Sequence, residues 1–417
     1  MSKLPKGWEE VLVENVFDNI GGTSLEKFVN ENGKYKFISI GNYSKSGKYI
    51  DNSQRIDINE KSANKILNKN DLVMVLNDKT STGDIIGSSI LIEESDKYIY
   101  NQRSERLICK NNIYPKFAWQ LLNSKYFRKK IVSLSQGGTQ IYINFPVIKK
   151  INFYLPPLEE QKKIADILST VDKKIAFVEE NINATEELKK GLMQKLLTEG
   201  IGHTEFKDSE LGRIPESWEV DTFNNLSIEI IDGDRGINYP KQNEFSDTGY
   251  CLFLSAKNVT KRGFEFIEKQ FITEDKDSLL RKGKLQKKDI VLTTRGTVGN
   301  IAYFNDLISF ENMRINSGMV LLRSSKLNTD YLYKVMNSYI IQNHISNVAF
   351  GSAQPQLTVK EIKTFKIPVP PLEEQKQIAE ILSTVDNKLE NLKEKKLFFE
   401  ELKKGLMQKL LTGEVRV

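Results

Sequence analysis

Apolar positions along this chain follow two different periods. Between Pro156 and Thr198, Ile164, Leu168, Val171, Ile175, Val178 and Ile182 step by four and three, the spacing of a coiled-coil seam. Between Pro370 and Thr412, Ile378, Leu382, Val385, Leu389 and Leu392 repeat that spacing. The two stretches align without a gap at an offset of 214 residues, and 30 of their 43 positions are identical. Each predicts one long helix. The Pro-Pro pairs suit helix entry, and Glu159-Glu160 and Glu373-Glu374 suit the positive N-terminal end. Lys189-Lys190 with Lys195, and Lys403-Lys404 with Lys409, suit the negative C-terminal end. So long a helix spans about 60 Å, and one narrow apolar stripe along it needs a partner. The expected partner is the other copy; the alternative is that each helix lies on its own globular domain.

The remaining chain reads as short strands separated by polar turns. In the first part these are YKFISI at 35–40, DLVMVLN at 71–77, DIIGSSILI at 84–92 and RLIC at 106–109. One helix is expected near 115–135, and INFYLP at 151–156 is a strand leading into the first long helix. The segment 199–220 reads as a linker. A second part then repeats the order of the first. Trp218 answers Trp8, CLFLSAKNVTKRG at 251–263 answers FISIGNYSKSG at 37–47, and Asn337-Ser338 answers Asn123-Ser124.

The expected organisation is therefore globule 1–155, helix 156–198, linker and globule 199–369, and helix 370–417. The fold class is α+β: two mixed α/β domains joined by two long antiparallel helices forming a coiled coil, with pseudo-twofold symmetry. The helices are near-twins, whereas the globules share a framework and little else. Parts that meet a common partner must stay alike, and parts that read different targets are free to differ.

Composition narrows the function. A chain of 417 residues holds two or more domains with real cores. No apolar run approaches a membrane span and no signal core opens the chain, so a cytoplasmic protein is expected. Cys109 and Cys251 alone give neither a metal cluster nor a disulfide framework, and both read as core residues. A net charge of +6 permits nucleic-acid binding.

Catalytic signals are missing. His203 and His344 are the only histidines and read as structural. No phosphate-binding loop, dinucleotide loop or adenine-methyltransferase segment is present. The positive signals are polar and basic loops with aromatics among them. In the first globule they are Lys45 and Lys48, then Lys79, Thr80 and Ser81, then Arg103 and Arg106, then Gln140 and Tyr142. In the second they are Lys257, Lys261 and Arg262, then Arg295 and Thr297, then Arg314, then Gln354 and Gln356. The densest basic run is KDSLLRKGKLQKK at 276–288. Such side chains hold phosphates and read base edges. Two other function classes compete with DNA reading: a coiled-coil spacer carrying two protein-binding modules, and a stand-alone nuclease or methyltransferase.

The paired PPLEEQK-x-IA-[DE]-ILSTVD and EELKKGLMQKLLT segments, with FKDSELGRIPESWE and DIVLTTRGTVGNIAYF, resemble the specificity subunits of type I restriction–modification systems over essentially the whole chain. The first globule departs from the second in one loop, where NDKTSTGD lacks the arginine that TTRGTVGN carries as Arg295. The resemblance implies that each globule is a target recognition domain reading one half of a split double-stranded DNA site. It implies that the helices space the domains and dock two methyltransferase (modification) subunits, with restriction/translocase subunits completing a host-defence complex. This chain then binds no cofactor itself; S-adenosylmethionine, ATP and Mg2+ are used by the partner subunits.

Overall fold

The computed structural model describes residues 5–349 and 356–417. The chain folds into two compact units, Met1–Glu180 with Lys393–Val417, and Asn181–Leu392. Each unit takes in part of both long helices, so compactness cuts across the linear order of the sequence.

In the first unit, an antiparallel sheet has the strand order Phe17–Gly21, Ser104–Cys109, Leu72–Val75, Ser89–Leu91. A second sheet has the order Val29–Asn30, Arg55–Ile56, Tyr35–Ile38, Tyr98–Tyr100, and its last pair is parallel. The second unit repeats the first sheet as Glu229–Asp232, Met319–Arg323, Ile290–Thr293, Ile301–Tyr303. It trims the other to three strands, Phe271–Ile272, Cys251–Leu254 and Met313–Ile315, again with a parallel pair. In each unit an early strand closes against the strand that feeds the long helix: Glu9–Leu12 on Asn152–Leu155, and Glu219–Thr222 on Lys366–Val369.

The helix expected near 115–135 is two helices, Pro115–Leu122 and Lys125–Leu134. Asn123-Ser124 breaks it, because the Ser124 hydroxyl accepts from Phe127 N at 3.1 Å and so caps the second helix. Asn337-Ser338 likewise separates Thr329–Met336 from Tyr339–Ala349. The expected linker contains a hairpin, Phe206–Ser209 with Gly212–Pro215.

The long helices run Leu158–Thr198 and Leu372–Leu411, the second stopping six residues short of the expected end at Val417. Their shared opening is a lock on the domain before it. Trp8 Nε1 donates to Glu160 at 3.1 Å, and Trp218 Nε1 donates to Glu374 at 2.9 Å. Gln161 donates to Pro156 O and accepts from Tyr114 N; Gln375 does the same with Pro370 O and Asn328 N. A segment from beyond a helix end reaches the same carboxylates. Arg416 Nη2 lies 2.7 Å from Glu160, and His203 Nε2 lies 2.8 Å from Glu374. His203 is thus structural, as its setting in the sequence suggests.

The seam residues from Ile164 to Val178 and from Ile378 to Leu389 are buried, and Leu392 is half-buried. The first turns pack into their own domain: Ile164 and Leu168 join Phe117 and Leu121, and Ile378 and Leu382 join Tyr331 and Val335. The helix ends enter cores too. Leu410 and Leu411 join the first of these clusters, and Leu196 and Leu197 the second. Asp172 accepts from Gln120 at 2.8 Å and pairs with Lys403 at 2.7 Å. Asp386 pairs with Lys334 at 2.7 Å and Lys189 at 2.6 Å. Cys251 is buried and Cys109 partly so. Burial pushes both thiols up to about 12. Among the described residues no helix is long and apolar enough to cross a membrane.

Candidate nucleic-acid interface

In the first unit three expected loops meet at one end of the antiparallel sheet that carries Leu72–Val75 and Ser104–Cys109. Asn77 pairs with Tyr142 and Asp78 with Ile141, which sets Lys79, Thr80 and Ser81 beside Gln140 and Tyr142. Leu76 N donates to Arg103 O at 2.9 Å, which brings in Arg103. Asp78 staples the first loop: it accepts from Thr80 N and Oγ1, each at 2.9 Å, and from Ile85 N at 2.6 Å. Burial opposes its ionisation, but these donors hold the carboxyl below its ordinary range. Lys45 and Lys48 sit on a further loop. Lys45 pairs with Asp84 at 2.7 Å, and Trp119 Nε1 ties the loop down by donating to Gly47 O at 3.1 Å.

The second unit builds the same end from different side chains. Arg295 bridges to Gln356, and its backbone N donates to Gly318 O at 3.2 Å. Asn300 Nδ2 donates to Val259 O at 2.9 Å, which ties the hairpin carrying Lys261 and Arg262 to the Arg295–Thr297 turn. Lys257 is exposed and pairs with Glu268 at 2.6 Å. Gln354 lies outside the described residues. Lys79, Arg103, Lys261, Arg262 and Arg295 are exposed, and among the described residues none of them makes an ion pair.

Two of the expected contacts are corrected. Arg106 is buried, pairs with Asp71 at 2.7 Å and donates to Ile66 O at 3.1 Å. Arg314 is buried, pairs with Asp277, and donates to the carbonyls of Asp277, Leu280 and Lys282. Both guanidinium groups hold strands and turns together, and neither is presented to solvent. The basic run at 276–288 is also partly spent inside the domain. Lys276 pairs with Glu244, Lys284 with Asp277, and Lys287 donates to Asn305 O and Ile308 O.

A family model described as Type I restriction modification DNA specificity domain matches residues 5–187 and again residues 216–398. The chain belongs to this family. The type I restriction enzyme MjaVIII specificity subunit of Methanocaldococcus jannaschii is 31% identical over all of this chain and 94% of its own length. The EcoKI specificity subunit of Escherichia coli is 25% identical over 64% of this chain and 57% of its own length. The S subunit crystal structure from M. genitalium shares the fold, with a TM-score of 0.62 at 18% identity over 99% of this chain and 97% of that one.

Within the two specificity domains, the loops at this end of the sheet correspond. Asn77 with Tyr142 takes the place of Arg295 with Gln356, so the first domain has an amide where the second has a guanidinium. Sequence reasoning passes over Asn77, although the aligned DLVMVLN and DIVLTTR runs place it opposite Arg295. It also misses Arg235, which donates to Ser317 O at 3.2 Å beside Ile237, an isoleucine 94% exposed. No spacing rule flags that loop. Among the described residues no group of three or more His, Cys, Asp or Glu is placed to hold a metal.

Proposed function

We propose that this chain is the non-catalytic, DNA-reading subunit of a type I restriction–modification complex, and that each recognition domain reads one half of a bipartite site. One observation carries the reading. Each compact unit presents its own exposed loops at the same end of the same four-stranded sheet, yet with different side chains, Asn77 and Tyr142 against Arg295 and Gln356. A shared frame with unlike contacts suits two dissimilar half-sites. The contacts assigned to the first are Lys79, Thr80, Ser81, Arg103, Gln140 and Tyr142, with Lys45 and Lys48 flanking. Those assigned to the second are Lys257, Lys261, Arg262, Arg295, Thr297 and Gln356.

In this reading the long helices form an antiparallel coiled coil that sets the spacing of the half-sites and docks two modification subunits. Ion pairs support the orientation. Going forward seven residues from Asp172 to Glu179 goes back seven from Lys403 to Lys396, their partners at 2.7 and 2.9 Å. S-adenosylmethionine, ATP and Mg2+ belong to the partner subunits, and restriction subunits complete the assembly in the cytoplasm.

The test is to express the chain with its modification subunits and sequence the methylated adenines. A split motif is expected, and Arg295→Ala should alter only one of its halves. A motif without a gap, or loss of both halves on Arg295→Ala, refutes the reading.

A further inference from the structure

Beside the reading loops of the first domain lies a cavity of about 660 Å³, lined in part by Asn19, Gln102, Glu105, Asn144, Phe145 and Lys149. Glu105 is its unusual member. It sits inside the sheet, paired with Gly21 and Met74, and is only 5% exposed. The corresponding residue of the second domain, paired with Asp232 and Leu292, is Val320. A carboxylate thus stands where the twin framework keeps a core valine. One of its oxygens accepts from Asn19 Nδ2 at 2.6 Å, and no ion pair neutralises it among the described residues. Lys149 and Lys65 act on it only through space, and Lys65 spends its ammonium on Gly21 O at 2.6 Å. Burial pushes the Glu105 carboxyl above its ordinary range. A buried carboxylate without a directly paired cation is costly, and a ligand that donates a hydrogen bond to it relieves the cost.

We propose that this cavity seats one nucleobase turned out of the duplex, with Glu105 accepting from its exocyclic amino group. The inference rests on the DNA-reading function proposed above. A recessed carboxylate cannot reach a base edge that stays stacked, whereas an extruded base is read by edge hydrogen bonds and by contact with its faces. The cavity offers both. Glu105 and Asn19 supply polar groups for an edge, and Phe145, Val147 and Leu76 supply apolar surface. Lys149, with its ammonium 6.0 Å from the Phe145 ring centre, suits the phosphate of the same nucleotide. Cytosine, adenine and guanine each carry an exocyclic amino group on the Watson–Crick edge that an extruded base exposes; thymine does not. A metal ion does not fit, because one carboxylate among amides is too few ligands.

The experiment uses the complex assembled with its modification subunits and duplexes carrying 2-aminopurine beside each position in turn across the half-site read by the first domain, so that the base tested keeps its own amino group. Apart from the adenine that a modification subunit turns out in order to methylate it, one position should give a several-fold rise in fluorescence on binding. Glu105→Gln and Glu105→Val should each abolish that rise and relax base preference there at least tenfold, leaving the other half-site unchanged. The Gln variant retains shape should the Val variant fail to fold. Flat fluorescence at every position other than the methylated adenine, or an unchanged motif in the Gln variant, overturns the pocket and leaves split-site reading intact. A wild-type complex that methylates no split motif overturns the underlying reading itself.

Discussion

Asp172 and Asp386 hold corresponding places in the two long helices, but their neighbours differ in charge. Asp172 meets neutral Gln120 as well as Lys403, whereas Asp386 meets two lysines. Lys334 is largely buried, so removing Asp386 strands a cation. Asp386→Ala should therefore cost about 3–5 kcal/mol, and Asp172→Ala about 1–2 kcal/mol, read by urea unfolding. Burial works against ionised Asp386, yet Lys189 and Lys334 hold its carboxyl below the ordinary range. Arg416 and Trp8 do the same for Glu160 against its burial. Both groups have folded values below unfolded ones, so their contribution is complete above the usual carboxylate range, about 4. It is lost as pH falls through the depressed values. Acid titration of Asp386→Asn should show a shallower loss of stability below that range than wild type.

At the scale of elements, the sequence is most legible where one physical cause dominates. The four-three apolar spacing locates the start of both long helices to within two residues, and their capping charges lie where the helix dipole requires. The break at Asn123-Ser124 is hidden because the apolar period runs through it, and only the serine cap interrupts the backbone. Ser124→Ala should cost about 1 kcal/mol and fray the start of Lys125–Leu134, a change hydrogen exchange would register. Arg106 and Arg314 mislead for a related reason. Composition reveals a cation, but its acid partners are 35 and 37 residues away in sequence and meet it only once the sheet forms. The positions of the polar and basic loops are legible, yet which of their side chains face outward is not, because that depends on turns that no period describes. Glu105 is invisible altogether, since nothing along the strand separates a buried carboxylate from an exposed one.

At the scale of the molecule, the two ends of the repeat are nearly identical, and ten of its thirteen differences lie in the middle, 175–185 against 389–399. The ends carry the Trp–Glu locks, the aspartates with their lysines, and the leucines that enter the cores. The middle is where length can change without disturbing them. Adding one helical turn there in both helices should lengthen the unread gap of the split motif and leave both half-sites as they were, as sequencing of methylated adenines would report. Binding of the assembled complex should weaken steeply with salt, because exposed Lys79, Arg103, Lys261, Arg262 and Arg295 are suited to phosphates. A titration series at rising salt reads the slope, and each of these cations replaced by alanine should lower it by about 1.

One glycine in each domain limits how these loops can be exchanged. A Cβ at Gly22 would stand 1.8 Å from Asn101 O, and one at Gly233 would stand 2.0 Å from Asn316 O. At this point two backbones touch with no room for a side chain. A transplanted loop must therefore begin after the glycine: chimaeras joined there inherit a sound chassis, and chimaeras that overwrite it must first prise two strands apart.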